Sequence, residues 1–215
     1  MTVSSGQTYL AIPGPSVIPE EVLRSMHRSA PNIYEGELIE ITGSLIPDLN
    51  YVARSSGHVA IYIANGHGIW EAALSNMVSI GDHILVLATG RFAHGWAEMA
   101  RKMGVEVDIL DFGKDKALDI HILNEKLKSE PKTKYKAILM THVDTSTSVK
   151  NDIASVRKKL DEIGCPALLA VDCIASLACD RFEMDEWGVD VMVAACQKGL
   201  MDPPRIGFLY FNDRE

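Results

Sequence analysis

The sequence predicts an α/β fold with a mostly parallel sheet flanked by helices. Short apolar runs rich in Val, Leu, Ile and Ala alternate along the chain with segments in which apolar residues have helical spacing. The apolar runs end at turn residues or polar side chains, as do strands that are buried on both faces of a parallel sheet. With 215 residues, of which 47% are hydrophobic and 23% charged, the chain can bury one substantial core.

The first part of the chain is predicted to be an N-terminal segment, residues 1–20, followed by a large domain at residues 21–215. Proline and glycine in Pro13-Gly14-Pro15-Ser16 indicate a rigid extended turn. Helical spacing with acidic residues in the first turn follows twice, although Pro47 should kink or break the second helix. The predicted helices are Pro19–His27 and Glu37–Ser55.

A strand, a glycine-containing turn and a helix come next. The strand is His58–Ala64, the turn is Asn65-Gly66-His67-Gly68, and the helix is Ile69–Met77. Such a turn can hold a phosphate, because the first N–H groups of a helix are unpaired and the helix dipole favours an anion. Most turns of this kind only connect two elements, and His67 fits a hydrogen-bonding turn residue better than a general base.

The same alternation continues to the end of the chain. A loop rich in hydroxyl groups, Thr141–Ser148, follows one of the strands, where it could contact a ligand or merely lead into a helix that Asp152 caps. The predicted strands are Ile84–Ala88, Val105–Leu110, Ala137–Met140, Ala167–Val171, Val189–Cys196 and Ile206–Phe211, and the predicted helices are Ala93–Met103, Asp119–Ser129 and Ile153–Ile163.

Two residues of opposite charge, Asp172 and Lys198, follow neighbouring apolar runs in the last third of the chain. Ligands of open α/β sheets bind at the carboxyl ends of the strands, so both side chains could face one cleft. A lysine beside an apolar site can lose its proton and form an imine, and a carboxylate can keep a heterocyclic nitrogen protonated. Pyridoxal phosphate (PLP) chemistry needs these two groups. Taken alone, the spacing favours a solvated loop lysine, and buried strands that end in aspartate are common in α/β proteins of every function.

Composition argues against several other classes of function. The net charge of −8 and the lack of a basic stripe disfavour a nucleic-acid or anionic-membrane surface. The seven histidines form no His-x-x-His or His-x-x-x-His pair, and the cysteines form no CxxC pair, so no metal site is expected. No signal peptide or bilayer-length apolar stretch is visible, which favours a cytoplasmic protein with reduced core or near-core cysteines: Cys165, Cys173, Cys179 and Cys196.

Six short motifs occur in the order and rough spacing of the class V aminotransferases, and the chain resembles the serine–glyoxylate and alanine–glyoxylate branch of that family. The resemblance covers about residues 10–211, and residues 184–190 also look like that branch. The motifs are Pro13-Gly14-Pro15, Asn65–Gly68 with Glu71–Leu74, Gly90-Arg91-Phe92, Thr141-His142 with Asp144–Thr147, Val171-Asp172, and Gln197-Lys198 with Pro203-Pro204.

The resemblance implies fold type I of the PLP enzymes and a role for each matched position. Lys198 would form a Schiff base with PLP and later move the substrate Cα proton, and Asp172 would pair with the pyridinium nitrogen. Phe92 would stack on the ring, and Thr145 would reach the region of the ring's 3-oxygen. The phosphate would lie among Asn65, Gly66, His67 and Gln197.

Three positions depart from the family pattern. Arg205 stands where relatives have a glycine, and it is expected to face the surface, the alternative being a second anion clamp for a dicarboxylic or phosphonate substrate. Ser148 replaces a glycine in the hydroxyl-rich loop, and Asn65 stands where serine is frequent. These departures leave the chemistry in place but affect the identity of the substrate.

The expected activity is transamination between a small amino acid (serine, alanine or aspartate) and a 2-oxo acid such as glyoxylate, by a homodimer. The alternatives are another fold type I reaction, such as that of a desulfurase or β-lyase, or a truncated non-catalytic binding or dimerisation module. Relatives continue into a small C-terminal domain that supplies the arginine for the substrate carboxylate. The 215-residue chain by itself is therefore expected to be a poor catalyst.

Overall fold

The computed structural model describes residues 10–214 and contains the predicted alternation of strands and helices. The helices are α1 (Glu20–Met26), α2 (Glu37–Ala53), α3 (Gly66–Met77), α4 (Arg91–Lys102), α5 (Ile120–Lys128) and α6 (Ile153–Ile163). The strands are β1 (His58–Ile63), β2 (His83–Ala88), β3 (Glu106–Asp111), β4 (Ala137–Thr141), β5 (Val143–Asp144), β6 (Val149–Lys150), β7 (Leu168–Asp172), β8 (Val191–Ala195) and β9 (Ile206–Phe211).

Seven strands form one sheet in the order β1-β9-β8-β7-β4-β2-β3, and β5 pairs with β6 in a separate hairpin. The strands of the large sheet are parallel except β9, which is antiparallel to both of its neighbours. The predicted α/β class with a mostly parallel sheet is therefore confirmed.

Helices cover both faces of the sheet, and alternate residues of each central strand pack against the helices on opposite faces. In β4, Ile138 and Met140 pack on one side with residues of α2, α5 and α6. Leu139, between them, packs on the other side with residues of α3 and α4. All five residues of β4, β7 and β8 are buried, which explains why these strands read as continuous apolar runs.

Two predicted helices differ from the observed ones. α3 begins at Gly66, three residues before the predicted Ile69, because the side chain of Asn65 caps it. α2 continues through Pro47 and is not broken there. Pro47 is exposed, and the residue four positions before it, whose carbonyl the proline ring would approach, is the flexible Gly43.

The parallel strands bring five loops to one edge of the sheet. β7 ends at Asp172, which pairs in register with Thr141 at the end of β4, and Gln197 and Lys198 follow β8. The turn after β1, the start of α4 after β2 and the loop after β4 reach the same edge, because the carboxyl ends of parallel strands lie together.

None of the helices within residues 10–214 has both the length and the apolar character that crossing a bilayer requires. The boundary between the N-terminal segment 1–20 and the large domain 21–215 stays a prediction, and residues 1–9 and 215 lie outside the described part of the chain.

Candidate active site

A cavity of about 160 Å³ lies at this edge, and all eight predicted site residues line it. The predicted lining residues are Asn65, Gly66, His67, Phe92, Thr145, Asp172, Gln197 and Lys198. Four further residues, which the sequence did not single out as site residues, complete the wall: Trp70, Val143, Ile174 and Ala175.

Asp172 lies at the bottom of the cavity and is only 5% exposed. The main-chain N–H of Ile174 donates to its Oδ1 (2.7 Å), and the indole Nε1–H of Trp70 donates to its Oδ2 (2.9 Å). Burial raises the pKa of Asp172 to about 7, although both hydrogen bonds and the nearby Lys198 lower it. The negative charge of Asp144 adds to the increase.

Lys198 is half-buried, and its Nζ donates a hydrogen bond to the carbonyl oxygen of Pro13 (2.9 Å). Burial lowers the pKa of Lys198, and the carboxylate of Asp172 opposes that change. A lysine with a depressed pKa has a larger neutral fraction at neutral pH, and the neutral amine is the nucleophile in imine formation.

The segment Pro13–Ser16 packs directly on the lysine. The N–H of Ser16 donates to the carbonyl of Gln197 (2.9 Å), and its Oγ donates to the carbonyl of Lys198 (2.8 Å). A Cβ on Gly14 would lie 2.6 Å from Cδ of Lys198, and Gly14 has a positive φ of 140°. The proline-glycine motif was predicted as a turn, but its contact with Lys198 was not.

The turn after β1 forms one end of the cavity. Oδ1 of Asn65 accepts from the N–H of Gly68 (2.9 Å), so Asn65 caps α3, and Gly66 and His67 are its first two residues. The first N–H groups of a helix have no intrahelical partner and are suited to bind an anion. A Cβ on Gly66 would lie 2.9 Å from Cδ1 of Ile174, so a larger residue there would have to push the end of that side chain aside.

An amide oxygen in the same region has no partner. Oε1 of Gln197 is buried without a hydrogen bond to any part of residues 10–214. A buried polar atom without a partner is costly. Oε1 is an acceptor and does not suit a phosphate, but turning the amide over would present its NH2 group instead. In that orientation Gln197, which lines the same cavity as the Asn65–Gly68 turn, fits a phosphate-bearing cofactor together with the glycine cradle and the helix N-terminus.

Aromatic rings form the adjoining wall. Trp70 lies edge-on to Phe92, with 6.2 Å between ring centroids, and stacks on Trp96 at 6.0 Å. Trp70 was not singled out as a site residue in the sequence, and its hydrogen bond to Asp172 was not predicted. The signal that could have found it is that a buried indole N–H needs an acceptor.

Two of the three departures from the family pattern concern backbone geometry. Ser148 has a positive φ of 60°, which explains why glycine suits this place in the loop. Arg205 is exposed and does not line the cavity, in agreement with the expected surface position, and it is not among the residues with positive φ.

The cysteines differ from one another in exposure. Cys165, Cys173 and Cys196 are buried, as expected for core residues, whereas Cys179 is exposed, because the turn after β7 carries it to the surface. Within the part of the chain that the structure describes, no three His, Cys, Asp or Glu side chains are grouped as metal ligands would be.

The chain is similar to glyoxylate aminotransferases over nearly all of its length. It is 35% identical to the serine–glyoxylate aminotransferase of Methylorubrum extorquens over 97% of this chain and 52% of that protein. It is 33% identical to the L-aspartate–glyoxylate aminotransferase of Paracoccus denitrificans over 98% of this chain and 53% of that protein. The chain thus spans about half the length of the curated relatives it matches.

Solved structures and the family pattern agree with these similarities. The structure superimposes on an aspartate aminotransferase of subgroup IV from Thermus thermophilus with a TM-score of 0.88 and 26% identity, covering 96% of this chain and 57% of that one. The fold is therefore that of the fold type I PLP enzymes, as expected. The pattern described as aminotransferase class-V matches residues 58–215. The chain belongs to the class V aminotransferase family.

Proposed function

We propose that this chain is the PLP-binding part of an aminotransferase that transfers an amino group between a small amino acid, such as serine, alanine or aspartate, and a 2-oxo acid such as glyoxylate. The observation that carries the proposal is one cavity that contains a lysine of depressed pKa and a buried aspartate. The family implies PLP, and the substrates follow the names of the relatives.

Each part of the cavity suits one part of PLP. The phosphate fits the N-terminus of α3, where Asn65, Gly66, His67 and Gln197 meet. The ring would lie beside Phe92, and the resemblance to the family implies that Asp172 would hold its nitrogen and Thr145 would serve its 3-oxygen; all three side chains line the cavity. When bound, PLP supplies an electron sink that withdraws electrons from the Cα of the amino acid.

The side chains of the protein then handle binding and protons. Lys198 holds the cofactor covalently and moves the proton at the substrate Cα, which its depressed pKa suits. Asp172 holds the proton on the ring nitrogen, and a positive charge there lowers the pKa of this carboxyl again. Trp70, Phe92 and Ile174 line the site with apolar surface that limits access of water.

Covalent attachment to Lys198 tests the proposal. The chain mixed with PLP should show an absorption band in the near-visible range, and borohydride should fix PLP on the peptide that contains Lys198, as mass spectrometry would show. Lys198→Ala should abolish both signals, whereas Lys102→Ala, which removes an exposed lysine of α4, should leave them unchanged. Absence of the band in the wild-type chain would refute the proposal.

The amino donor is identified by a screen. Serine, alanine, aspartate and cysteine would each be mixed with the PLP-loaded chain, and conversion to the pyridoxamine form would be followed by absorbance. Conversion with serine, alanine or aspartate above that in a sample without an amino acid supports transamination, even at the low rate expected of the 215-residue chain alone. Release of sulfide from cysteine would support the desulfurase alternative instead.

The proposed assembly is a homodimer. Several apolar side chains of α2 are exposed in the single chain, which supports an interface on this helix: Ile39, Ile41, Leu45 and Ile46. The molar mass measured by light scattering would distinguish a dimer from a monomer.

A further inference from the structure

Two helices begin at the rim of the cavity, and their N-termini are capped in different ways. α3 is capped by the side chain of the residue before it, Asn65. α4 follows Gly90, which has no side chain and therefore cannot cap the helix. The N–H groups in the first turn of α4 need partners from elsewhere in the chain.

A buried carboxylate on a distant loop supplies those partners. Oδ2 of Asp144 accepts from the N–H of Phe92 (3.0 Å) and from the N–H of Ala93 (3.4 Å). Its Oδ1 accepts from the N–H (3.0 Å) and the Oγ–H (2.6 Å) of Ser146. The Oγ of Ser146 in turn accepts from the N–H of Arg91 (2.9 Å).

Gly90 provides the room for this carboxylate. A Cβ on Gly90 would lie 2.4 Å from Cγ of Asp144, a distance that no real contact allows. Asp144 itself is fully buried, and four donors satisfy its two oxygens. A buried charge is tolerated only with such partners, so this place in the fold is built for a carboxylate.

The carboxylate lies between two walls of the cavity. Phe92, whose N–H it accepts, lines one wall, and Thr145, the next residue along the chain, lines another. Asp144 also occupies the position at the N-terminus of α4 that an anion would otherwise take, which leaves the N-terminus of α3 for the cofactor phosphate.

We propose that Asp144 is a positioning residue of the cofactor site: by capping α4 from the loop after β4, its carboxylate fixes Phe92 for the ring face and Thr145 for the region of the ring's 3-oxygen. This inference rests on the proposed function. It adds a residue that does not line the cavity and acts through two that do.

Amide hydrogen exchange tests the cap without any cofactor. Asp144→Ala should speed exchange of the amides of residues 91–93 by about tenfold or more. Residues 92 and 93 lose their acceptor, and Oγ of Ser146, the acceptor of residue 91, loses the carboxylate that orients it. Asp144→Asn should have an intermediate effect, since an amide oxygen can accept on one side only. Asp119→Ala is the matched control: Asp119 caps α5 and does not line the cavity, so its loss should leave residues 91–93 unchanged.

A double-mutant cycle tests the positioning. In the chain that keeps Phe92, Asp144→Asn should weaken PLP binding and Asp144→Ala should weaken it more, by up to about tenfold. Both variants should also reduce the circular dichroism per bound PLP. With Phe92→Leu as the background, the same changes should cost much less, because Asp144 acts through Phe92. A residue that only stabilises the fold would give additive effects and unchanged circular dichroism.

The outcomes separate this inference from the proposed function. If the wild-type chain binds no PLP, the proposed function fails, and unchanged exchange at residues 91–93 would then overturn the inference as well. If the wild type binds PLP but the cycle is additive, the inference alone is overturned. If Asp144→Ala does not fold, the same three measurements are made on Asp144→Asn. Amide exchange, PLP affinity and circular dichroism of Asp144→Asn that all equal those of the wild type would overturn the inference.

Discussion

Asp172 and Lys198 face one cavity, yet burial shifts each of them towards its neutral form. Each charge favours the other, but loss of hydration has the larger effect on both pKa values. PLP bound as proposed would change this balance, since a protonated ring nitrogen would give Asp172 a partner and covalent attachment would remove the ammonium group of Lys198. Cofactor binding would therefore relieve the cost of burying both residues.

The raised pKa of Asp172 predicts how the stability of the cofactor-free chain depends on pH. An aspartate with a raised pKa stabilises the fold fully below its unfolded pKa of about 3.9, and this stability is lost as pH rises through about 7. Between pH 6 and pH 8 the wild type should lose about 1.4 kcal/mol of unfolding free energy relative to Asp172→Asn.

Urea titrations of both proteins at pH 6 and pH 8 measure this difference. Burial lowers the pKa of His142, which changes stability in the opposite direction over this range. Both proteins contain His142, so its contribution cancels in the comparison. Equal pH dependence of the two proteins would contradict the raised pKa.

The indole of Trp70 gives a second prediction at this scale. Trp70→Phe keeps an aromatic ring but removes the donor to Oδ2 of Asp172, so the pKa of Asp172 should rise further. PLP binding at pH 7 should weaken by about tenfold, as expected for loss of a hydrogen bond to a charged group. Fluorescence titration with PLP measures the affinity.

Trp96→Phe is the matched control. Trp96 is buried and stacks on Trp70, but its Nε1 has no hydrogen-bond partner within residues 10–214. Its replacement should leave PLP affinity unchanged. Equal losses in the two variants would show that ring packing, and not the hydrogen bond, matters to Asp172.

Residue types at strand ends were sufficient to predict which polar side chains line one cavity. Asp172 ends β7, Lys198 follows β8 and Thr145 lies in the loop after β4, where sequence order alone indicates a common edge. Their roles towards a cofactor stay predictions. Trp70 and Asp144 were not predicted as site residues, because their roles depend on hydrogen bonds to residues distant in the sequence. Trp70 donates to Asp172, 102 positions away, and Asp144 accepts from Phe92, 52 positions away.

At the scale of elements, the start of α3 combines a helix cap with an anion site. Asn65→Asp separates the two roles, because aspartate caps helices as well as asparagine does but adds a negative charge. The melting temperature should change little, while PLP affinity should fall by about tenfold or more through repulsion of the phosphate. Binding of pyridoxal, which has no phosphate, should be unaffected, and an equal loss for both ligands would contradict the phosphate assignment.

The N-terminal turn gives another prediction. Gly14→Ala would place a methyl group against the stem of Lys198 at a backbone conformation that alanine rarely adopts. Borohydride-trapped PLP on Lys198 should form at least about tenfold more slowly, since either the turn or the lysine must move. Gly43→Ala is the control: nothing lies within 4 Å of the added Cβ, so trapping should be unchanged.

The ends of a helix were predictable where a typical capping residue precedes the helix in the sequence. Asp152 precedes α6, and both ends of that helix were predicted correctly. The start of α3 was placed too late, because two glycines near its N-terminus look like a turn and the cap at Asn65 outweighs their low helix propensity.

On the scale of the whole molecule, the two edges of the sheet serve different purposes. At the amino end of β8, the buried Asp190 accepts from the N–H of Leu169 and from the side chains of Arg157, Arg214 and Asn212. The cavity lies at the carboxyl end of the same strand. Stability and cofactor binding are therefore separable.

Asp190→Ala should lower the free energy of unfolding by roughly 3–5 kcal/mol, because it leaves buried cationic and N–H groups without their acceptor. PLP affinity of the folded protein should be unchanged. Urea unfolding and PLP titration below the transition measure the two quantities. A large loss of affinity would show that the two edges are coupled.

The sheet as a whole was predictable in class but not in strand order. Alternating strands and helices indicate parallel neighbours. The antiparallel β9 follows β8 after a loop without a helix, and the sequence does not specify that it inserts between β8 and β1. This placement depends on contacts distant along the chain.

The position of β9 has a consequence for synthesis on the ribosome. Among residues 10–214, β1 is joined to the large sheet only through β9, and the N–H of Ala64, next to the Asn65–Gly68 turn, donates to the carbonyl of Arg205. The turn that suits the phosphate is made early, but its support emerges about 140 residues later, and such distant pairing is slow. A nascent chain would therefore acquire its cofactor site only after β9 has left the exit tunnel, and PLP would select for chains that have completed the sheet.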